Sequence, residues 1–140
     1  DPTPMRLLCF QARRFRWKTC SPSLPDLEPL DEEREVERAV VVFVHGDARD
    51  EEDRAGVLRK AAKHVKWVAR KGDFERVVLH SFTNLGSAGG SPDFARGWIA
   101  ELAERLRGTG YRVEETPFGH QCEWDLAVGG ESMAKVWKEI

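Results

Sequence analysis

The apolar segment 39–44 (AVVVFV) constrains the fold more than any other part of the chain. Its β-branched and aromatic residues follow one another without a polar interruption, which favours a strand buried on both faces. We therefore predict that this segment lies in the centre of a β-sheet. It ends at His45-Gly46-Asp47, where the glycine permits a tight turn or the close approach of a ligand.

A second apolar run, Val77 to Leu79, leads through the mostly polar segment 80–85 into the glycine-rich segment 86–90. Strand ends of this kind, next to the start of a helix, are where α/β folds bind ligands. Ser91 is predicted to cap that helix and Pro92 to take its first position. An ordinary strand, loop and helix start explains the same pattern equally well.

Two helices are indicated by apolar residues at helical spacing. The first begins in the acidic segment 50–53 and ends at Lys71-Gly72, since a basic residue followed by glycine is typical of a helix end. The second follows Pro92 and ends at Gly108. The apolar stripes of the two helices are Val57, Leu58, Ala61, Ala62, Val65, Val68 and Ala69, and Phe94, Trp98, Ile99, Leu102 and Leu106.

The amino-terminal part of the chain is expected to form a hairpin of two strands, residues 6–11 and 13–19. The second strand (RRFRWKT) alternates basic with aromatic residues, which places Phe15 and Trp17 on one face. The basic face is either an edge that contacts phosphates or an ordinary solvated face, and the solvated face is favoured. The charged segment 31–38 is expected to form a helical turn at most.

Four features are expected near the carboxyl end: a strand at 111–114, a turn at 116–119, a strand at 122–128 and an amphipathic helix at 132–140. Glu131 and Lys135 are four residues apart, which predicts a surface ion pair on that helix.

The chain has 140 residues, a length that fits one domain with a full-sized core, here residues 5–140. We expect residues 1–4, which precede Met5, to be a cloning remnant. No apolar run approaches the ~20 residues of a membrane span, and no signal peptide is visible. Three irregularly spaced cysteines do not suggest disulfides, which predicts a cytoplasmic protein. A net charge of −2 argues against strong non-specific binding to nucleic acid but leaves a local basic face open.

Motifs for several kinds of site are absent from the sequence. The segment 86–90 lacks a P-loop lysine and the spacing of a dinucleotide site, and no G-x-S-x-G occurs. His120 and Cys122 would share a strand face and could bind zinc together with His45 or His80. Without a CxxC or HxxxH spacing, neither a metal nor a cofactor is predicted. No side chain stands out as a nucleophile or a base.

Four segments carry a resemblance to a known family: Met5 to Leu8, Val40 to Val44, Val77 to Leu85, and Gly110 to Gly119. The strand end Phe82-x-x-Leu85 and the turn Pro117-Phe118-Gly119 before a strand are the most specific. Together they resemble the archaeal-type N-terminal editing domain of threonyl-tRNA synthetase, a relative of D-aminoacyl-tRNA deacylases. The resemblance covers nearly the whole chain. It implies an α/β fold with a single compact domain, mostly β-sheet, with two main helices packed on it.

The resemblance also implies a pocket built mainly from backbone groups. It places catalytic positions at Phe82, Thr83, Asn84, Gln121 and Cys122, and substrate-binding positions at Phe10, Gln11, Gly46, Phe118, Gly119, His120 and Lys135. The chain departs from the family at three of these positions. A histidine often stands at Asn84, a lysine at Cys122 and an acid at Lys135. We therefore infer that the reaction uses main-chain groups and the 2′-OH of the terminal tRNA ribose.

The predicted function is removal of serine from mischarged seryl-tRNA(Thr), because a missing methyl group gives too little discrimination in one binding step. The alternatives are D-aminoacyl-tRNA deacylation and a non-catalytic module for tRNA binding or subunit docking. The expected partners are the acceptor end of tRNA(Thr), a threonyl-tRNA synthetase catalytic module in cis or in trans, and a second copy of the chain. Exposed Trp17 and Trp137 would suit that homodimer.

Overall fold

The computed structural model describes residues 6–22, 27–45, 53–81 and 92–140. In these ranges, six strands and two helices follow one another along the chain. Their bounds are β1 Arg6–Pro22, β2 Glu33–His45, α1 Arg54–Arg70, β3 Arg76–Ser81, α2 Pro92–Arg107, β4 Arg112–Glu115, β5 His120–Val128 and β6 Lys135–Glu139, with a 3-10 turn at Ser132–Ala134. The predicted α/β class, with one main sheet and two helices, is confirmed.

The strands form one mixed sheet in the order β4-β3-β2-β1-β5, and β6 pairs with β1 next to β5. Strands β2, β3 and β4 are parallel, whereas β1 is antiparallel to β2, β5 and β6. One edge of β1 is covered by β2. The other edge is shared by β6 at residues 6–10 and by β5 at residues 12–22. The segment 39–44 lies between two neighbouring strands, as predicted.

The main hydrophobic core lies between the sheet and the two helices. It joins Val40, Val42 and Val44 of β2 to the apolar stripes of α1 and α2. The predicted stripe residues Leu58, Ala61, Ala62, Val65, Val68, Ala69, Trp98, Ile99, Leu102 and Leu106 are all buried. Each fully buried aliphatic side chain stabilises the fold by ~1.5–3 kcal/mol relative to an exposed one, so this interface fixes both helices on the sheet.

The opposite face of the sheet carries a second cluster, made of Ala12, Phe15, Trp17, Val36, Ala39, Val41, Phe43 and Val78. The ring of Trp124 on β5 lies 5.3 Å from that of Phe43 and 6.4 Å from that of Phe15, between centroids. In the register of the sheet Phe43 pairs with Leu8 and Trp124 pairs with Trp17, and these two β1 residues would lie ~30 Å apart in a straight strand. The sheet therefore curls toward this side and brings the aromatic rings together.

The predicted hairpin between residues 6–11 and 13–19 is wrong, because both segments belong to the single strand β1. The register of β1 against β5 shifts between Ala12 and Arg14, and Arg38 on the neighbouring strand β2 has a φ of 51°. Before this irregularity Ala12 faces the second cluster, and after it Phe15 and Trp17 do. A strand whose alternation changes phase resembles two strands in the sequence.

The helical turn predicted at residues 31–38 is also wrong, because β2 begins at Glu33. Its charged residues form cross-strand ion pairs with β1. Arg16 lies 2.8 Å from Glu33, and Arg14 lies 3.3 Å from Glu35. Opposite charges on neighbouring strands stabilise a sheet, so the charge density does not disfavour a strand here.

The predicted helix at 132–140 is wrong as well, because residues 135–139 form β6. This strand pairs with residues 6–10 of β1, and Val136 and Ile140 pack against the main core. The predicted helical ion pair between Glu131 and Lys135 is consequently wrong. Pairing with β6 satisfies the backbone N–H and C=O groups along this edge of β1. A separate terminal helix would leave those groups unpaired.

The helix ends agree with the sequence in part. Asp53 accepts a hydrogen bond from the backbone N–H of Gly56 at 3.2 Å and so caps α1. Pro92 begins α2 as predicted, whereas Ser91 and the side chain of Phe94 lie outside the described residues. After α1, the left-handed residue is Asp73, with a φ of 55°, and not Gly72. The strands predicted at 111–114 and 122–128 correspond to β4 and β5.

Candidate active site

The carboxyl ends of the parallel strands β2, β3 and β4 meet at one edge of the sheet. Phe43 and Val44 of β2 pair with His80 and Ser81 of β3 there. His80 and His45, which ends β2, are almost completely buried, with exposed fractions of 8% and 1%. This edge is where open α/β sheets bind ligands. Segments 46–52 and 82–91, which follow β2 and β3 in the chain, lie outside the described residues.

His80 is held by the residue that follows β4. Its Nδ1 lies 2.7 Å from the hydroxyl oxygen of Thr116, whose backbone N–H donates to the carbonyl of Leu79 at 3.0 Å. Burial lowers the pKa of His80 to about 4, because the charged imidazolium loses its hydration. The ring is therefore neutral at pH 7. It also lies edge-on to Phe43, with 5.4 Å between ring centroids.

The predicted turn at 116–119 is confirmed and shapes the start of β5. The backbone N–H of His120 donates to the carbonyl of Pro117 at 3.4 Å, and Gly119 has a φ of 80°. A type II turn needs such a positive φ at its third residue, which glycine adopts without strain. Arg96 of α2 lies over the ring of Phe118, with 5.1 Å from its guanidinium carbon to the ring centroid. This contact joins the turn to the first turns of α2.

The predicted site residues of β5 point in different directions. Cys122 packs against the second cluster, and burial, followed by the proximity of Cys20 and Glu32, raises the pKa of its thiol. The thiol thus stays protonated at neutral pH. Gln121 is exposed and accepts a hydrogen bond from the hydroxyl of Ser21 at 3.5 Å. The Nδ1 of His120 is buried and has no hydrogen-bond partner within the ranges that the structure describes.

Phe10 and Gln11 lie on opposite faces of β1. The ring of Phe10 is edge-on to Phe43 at 5.5 Å between centroids, on the side of the second cluster. Gln11 instead donates to the carbonyl of Val68 in α1 at 2.9 Å, on the helix side of the sheet. Lys135 is exposed on β6 and pairs with Phe10. The structure therefore brings Phe10, but not the side chain of Gln11, close to the ring system around Phe43 and His80.

Four predicted site residues, Gly46, Phe82, Thr83 and Asn84, lie outside the described residues. They directly follow the ends of β2 and β3 in the chain, with at most two residues between each and the last described residue. Sequence reasoning missed Thr116 as the partner of His80. The sequence feature that could have indicated this partner is a threonine directly after a strand and before a proline. Such a threonine is not specific, because a single hydroxyl can form many kinds of hydrogen bond.

The basic residues of β1 are largely neutralised by acidic neighbours. Arg16 lies 2.8 Å from Glu33, 2.9 Å from Glu123 and 2.7 Å from Asp125, and these hydrogen bonds raise its pKa. A guanidinium already shared by three carboxylates has little capacity left for a phosphate. The structure therefore favours the solvated-face interpretation of this strand.

In the described ranges, no group of three His, Cys, Asp or Glu residues is arranged to hold a metal ion. In the same part of the chain, no helix has both the length and the apolar character to cross a membrane.

The solved structures that resemble this one share its fold at low sequence identity. The c-Myc DNA unwinding element binding protein superposes with a TM-score of 0.68 at 15% identity, covering 96% of this chain and 98% of its own. A probable eukaryotic D-amino acid tRNA deacylase superposes with a TM-score of 0.64 at 12% identity, covering 97% and 99%. The predicted D-aminoacyl-tRNA deacylase-like fold is confirmed.

Sequence relatives identify the family. The family described as the archaea-specific editing domain of threonyl-tRNA synthetase matches residues 5–140. Threonine–tRNA ligases from Thermococcus onnurineus and Methanopyrus kandleri are 29% and 28% identical, each over 97% of this chain. The chain spans 22% of the length of each of these curated relatives. It belongs to the archaea-specific editing domains of threonyl-tRNA synthetase, a family of aminoacyl-tRNA ester hydrolases that proofread translation.

Proposed function

We propose that this domain hydrolyses seryl-tRNA(Thr) and spares threonyl-tRNA(Thr), at the carboxyl ends of β2 and β3. Serine lacks one methyl group of threonine, a difference worth only ~1–3 kcal/mol in a synthetic site. A second site that admits serine and excludes the larger threonine supplies the remaining discrimination. We assign the excluding wall to Thr83 and the backbone of Gly119.

The observation that carries the mechanism is the protonation state of the described side chains at this edge. His80 is neutral, with a pKa of about 4, and its Nδ1 is engaged by Thr116, which makes it a weak base at neutral pH. The pKa of Cys122 is raised, so its thiol is a poor nucleophile. Neither group is prepared for side-chain catalysis.

We therefore assign the chemistry to backbone N–H groups and to the substrate itself. A water molecule positioned by the ribose 2′-OH attacks the ester carbonyl carbon, and backbone N–H groups stabilise the negative oxygen that develops. The bond from that carbon to the ribose ester oxygen then breaks. The leaving oxygen takes up the proton that the water lost, which yields free serine and tRNA. The backbones of Phe82, Thr83, Gly119 and Gln121 are the proposed donors.

The remaining proposals concern partners. The substrate is the acceptor end of tRNA(Thr), and the threonyl-tRNA synthetase catalytic module acts in cis or in trans. A second copy of the chain is the other proposed partner, and the homodimer contact is not assigned to Trp17, because its exposed fraction is 1%.

The test compares release of L-serine, L-threonine and D-serine from tRNA(Thr), together with a substrate that ends in 2′-deoxyadenosine. Fast release of L-serine, slow release of L-threonine and no release from the deoxy substrate are expected. Equal rates for serine and threonine would refute the specificity, and unchanged cleavage of the deoxy substrate would refute the role of the 2′-OH. Faster release of D-serine than of L-serine would establish the deacylase alternative. Binding of tRNA without any turnover would establish a non-catalytic module.

A further inference from the structure

The helix α1 has an unusual charge pattern for a chain with a net charge of −2. Its 17 residues include six cationic ones, Arg54, Arg59, Lys60, Lys63, Lys66 and Arg70, and no acidic one. Within the described ranges, only Arg54 of these six forms an ion pair, at 2.9 Å from Glu101. The outer face of α1 is therefore a local basic surface that the net charge conceals.

This basic helix borders a groove of about 730 Å³ that separates it from β6. Lys60, Lys63 and His64 line the groove on the helix side, and Lys138 lines it on the strand side. Lys138 and His64 line the same groove, and burial, followed by the charge of Lys138, lowers the pKa of His64. The acid in the groove wall, Glu139, is bonded to Arg6 at 3.3 Å. The cations of the groove are thus uncompensated by the acids that the structure describes.

Two tryptophans stand beside these cations. Trp67 of α1 and Trp137 of β6 both line the groove, and their exposed fractions are 43% and 48%. Exposed indoles between lysines are typical of surfaces that bind nucleic acids, because bases stack on the rings while phosphates contact the ammonium groups. An acidic protein segment would need the cations but has no comparable use for two exposed indole faces.

The groove is connected to the candidate active site through neighbouring strands. Glu139 in its wall pairs with Arg6 of β1, and Arg6 pairs with His45 at the end of β2. Two strand spacings separate Glu139 from His45, ~10 Å. A nucleic acid whose end lies at the strand ends can therefore continue into the groove without crossing the sheet.

We propose that the groove between α1 and β6 binds the backbone and bases of the tRNA acceptor arm next to its terminal nucleotide. This inference rests on the proposed function, since it requires that the substrate is a tRNA. Lys60, Lys63 and Lys138 contact phosphates, and Trp137 stacks on a base. The surface thus supplies affinity for RNA, separately from the pocket that holds the amino acid.

The test measures the affinity of deacylated tRNA(Thr) for the protein as a function of salt. The double variant Lys63→Gln/Lys138→Gln should bind at least tenfold more weakly, and its slope of log affinity against log salt should shrink by about 1–2 units. Trp137→Leu should weaken binding by about tenfold with an unchanged salt slope. The matched control is Arg105→Gln/Arg112→Gln, which removes two exposed cations near the β4 edge and should leave affinity within twofold.

Unchanged affinity in the lysine variant, or an equal loss in the control, would overturn the proposal. So would unchanged tRNA affinity combined with lost association with the synthetase catalytic module, which would assign the groove to a protein partner. Serine release from seryl-adenosine by the unaltered domain is measured in parallel. Absence of that release would reject the proposed reaction, whereas the affinity data would still decide the groove.

Discussion

The Nδ1 of His80 lies 2.7 Å from the hydroxyl oxygen of Thr116, and this contact joins the end of β3 to the residue that follows β4. The same hydroxyl is 3.5 Å from the carbonyl oxygen of Leu79. A hydroxyl can donate one hydrogen bond and accept others, so Thr116 links the imidazole of His80 to the backbone of Leu79. The neutral ring is thus held by a neighbour that the backbone of Leu79 keeps in place.

Acid should destabilise this domain through His80. Its pKa is about 4 in the folded state and the ordinary 6.5 in the unfolded chain. The contribution of His80 to the free energy of unfolding is therefore complete above pH 6.5. As the pH falls from 6.5 to 4, the unfolded chain takes up a proton that the folded one does not, which costs ~3 kcal/mol in total. Urea unfolding at a series of pH values measures this loss. In His80→Asn the decline over this interval should be smaller by that amount, and parallel curves would contradict the assignment.

Replacing Thr116 with valine should destabilise the fold by ~1–3 kcal/mol, because the buried Nδ1 of His80 loses its partner while the volume is kept. The urea midpoint should fall with no change in the slope m. Thr109→Val removes an exposed hydroxyl that donates to the carbonyl of Leu106 at 3.0 Å. It serves as the control for a hydrogen bond that water can replace, with an expected change of ~0.5 kcal/mol. Similar losses in the two variants would argue against a special role of the His80 contact.

Gly119→Ala should cost ~1–2 kcal/mol of stability, because a φ of 80° is strained for any residue with a Cβ. Gly130→Ala is the matched control, since no atom lies within 4 Å of the added Cβ and its φ is not positive. It should be neutral or slightly stabilising. If Gly119 also forms the wall of the serine pocket, its variant should lose more of kcat/KM than the control at a temperature where both are folded.

If main-chain groups catalyse the reaction, replacing side chains at the site should reduce kcat/KM only slightly. Cys122→Ala and Asn84→Ala should each reduce kcat/KM for seryl-tRNA(Thr) by less than roughly tenfold, equivalent to about 1.4 kcal/mol. The thiol of Cys122 should also react slowly with iodoacetamide at neutral pH, because its raised pKa keeps it protonated. A thousandfold loss of activity in either variant would instead restore a side-chain mechanism.

The parts of the fold that the sequence predicts are those set by local patterns. The uninterrupted apolar run at 39–44 and the helical stripes of α1 and α2 lie where expected, since each pattern fits one element only. The elements that the sequence predicts wrongly depend instead on residues far away in the chain. Lys135–Glu139 becomes a strand because β1, more than a hundred residues earlier, offers a free edge. Charges at Glu33 and Glu35 are accepted in β2 because Arg16 and Arg14 of the neighbouring strand form ion pairs with them.

The candidate site was predictable only at the level of strand ends and the turn. The turn at Gly119 follows from its residue types, and the structure contains it. The contact between His80 and Thr116 depends on the parallel pairing of β3 and β4, which no local pattern specifies. The opposite orientations of Phe10 and Gln11 follow from strand alternation, but the sequence does not show that the side of Gln11 is covered by α1.

The two partners that share one edge of β1 have a consequence for biosynthesis. Arg6 leaves the ribosome more than a hundred residues before Glu139, yet the two residues pair. Residues 6–10 of β1 therefore keep one row of amide and carbonyl groups unpaired until residues 135–139 have been translated. A nascent chain stalled before residue 135 would expose that row to other polypeptides, so the synthesis of residues 135–139 decides whether the amino-terminal half of β1 is protected.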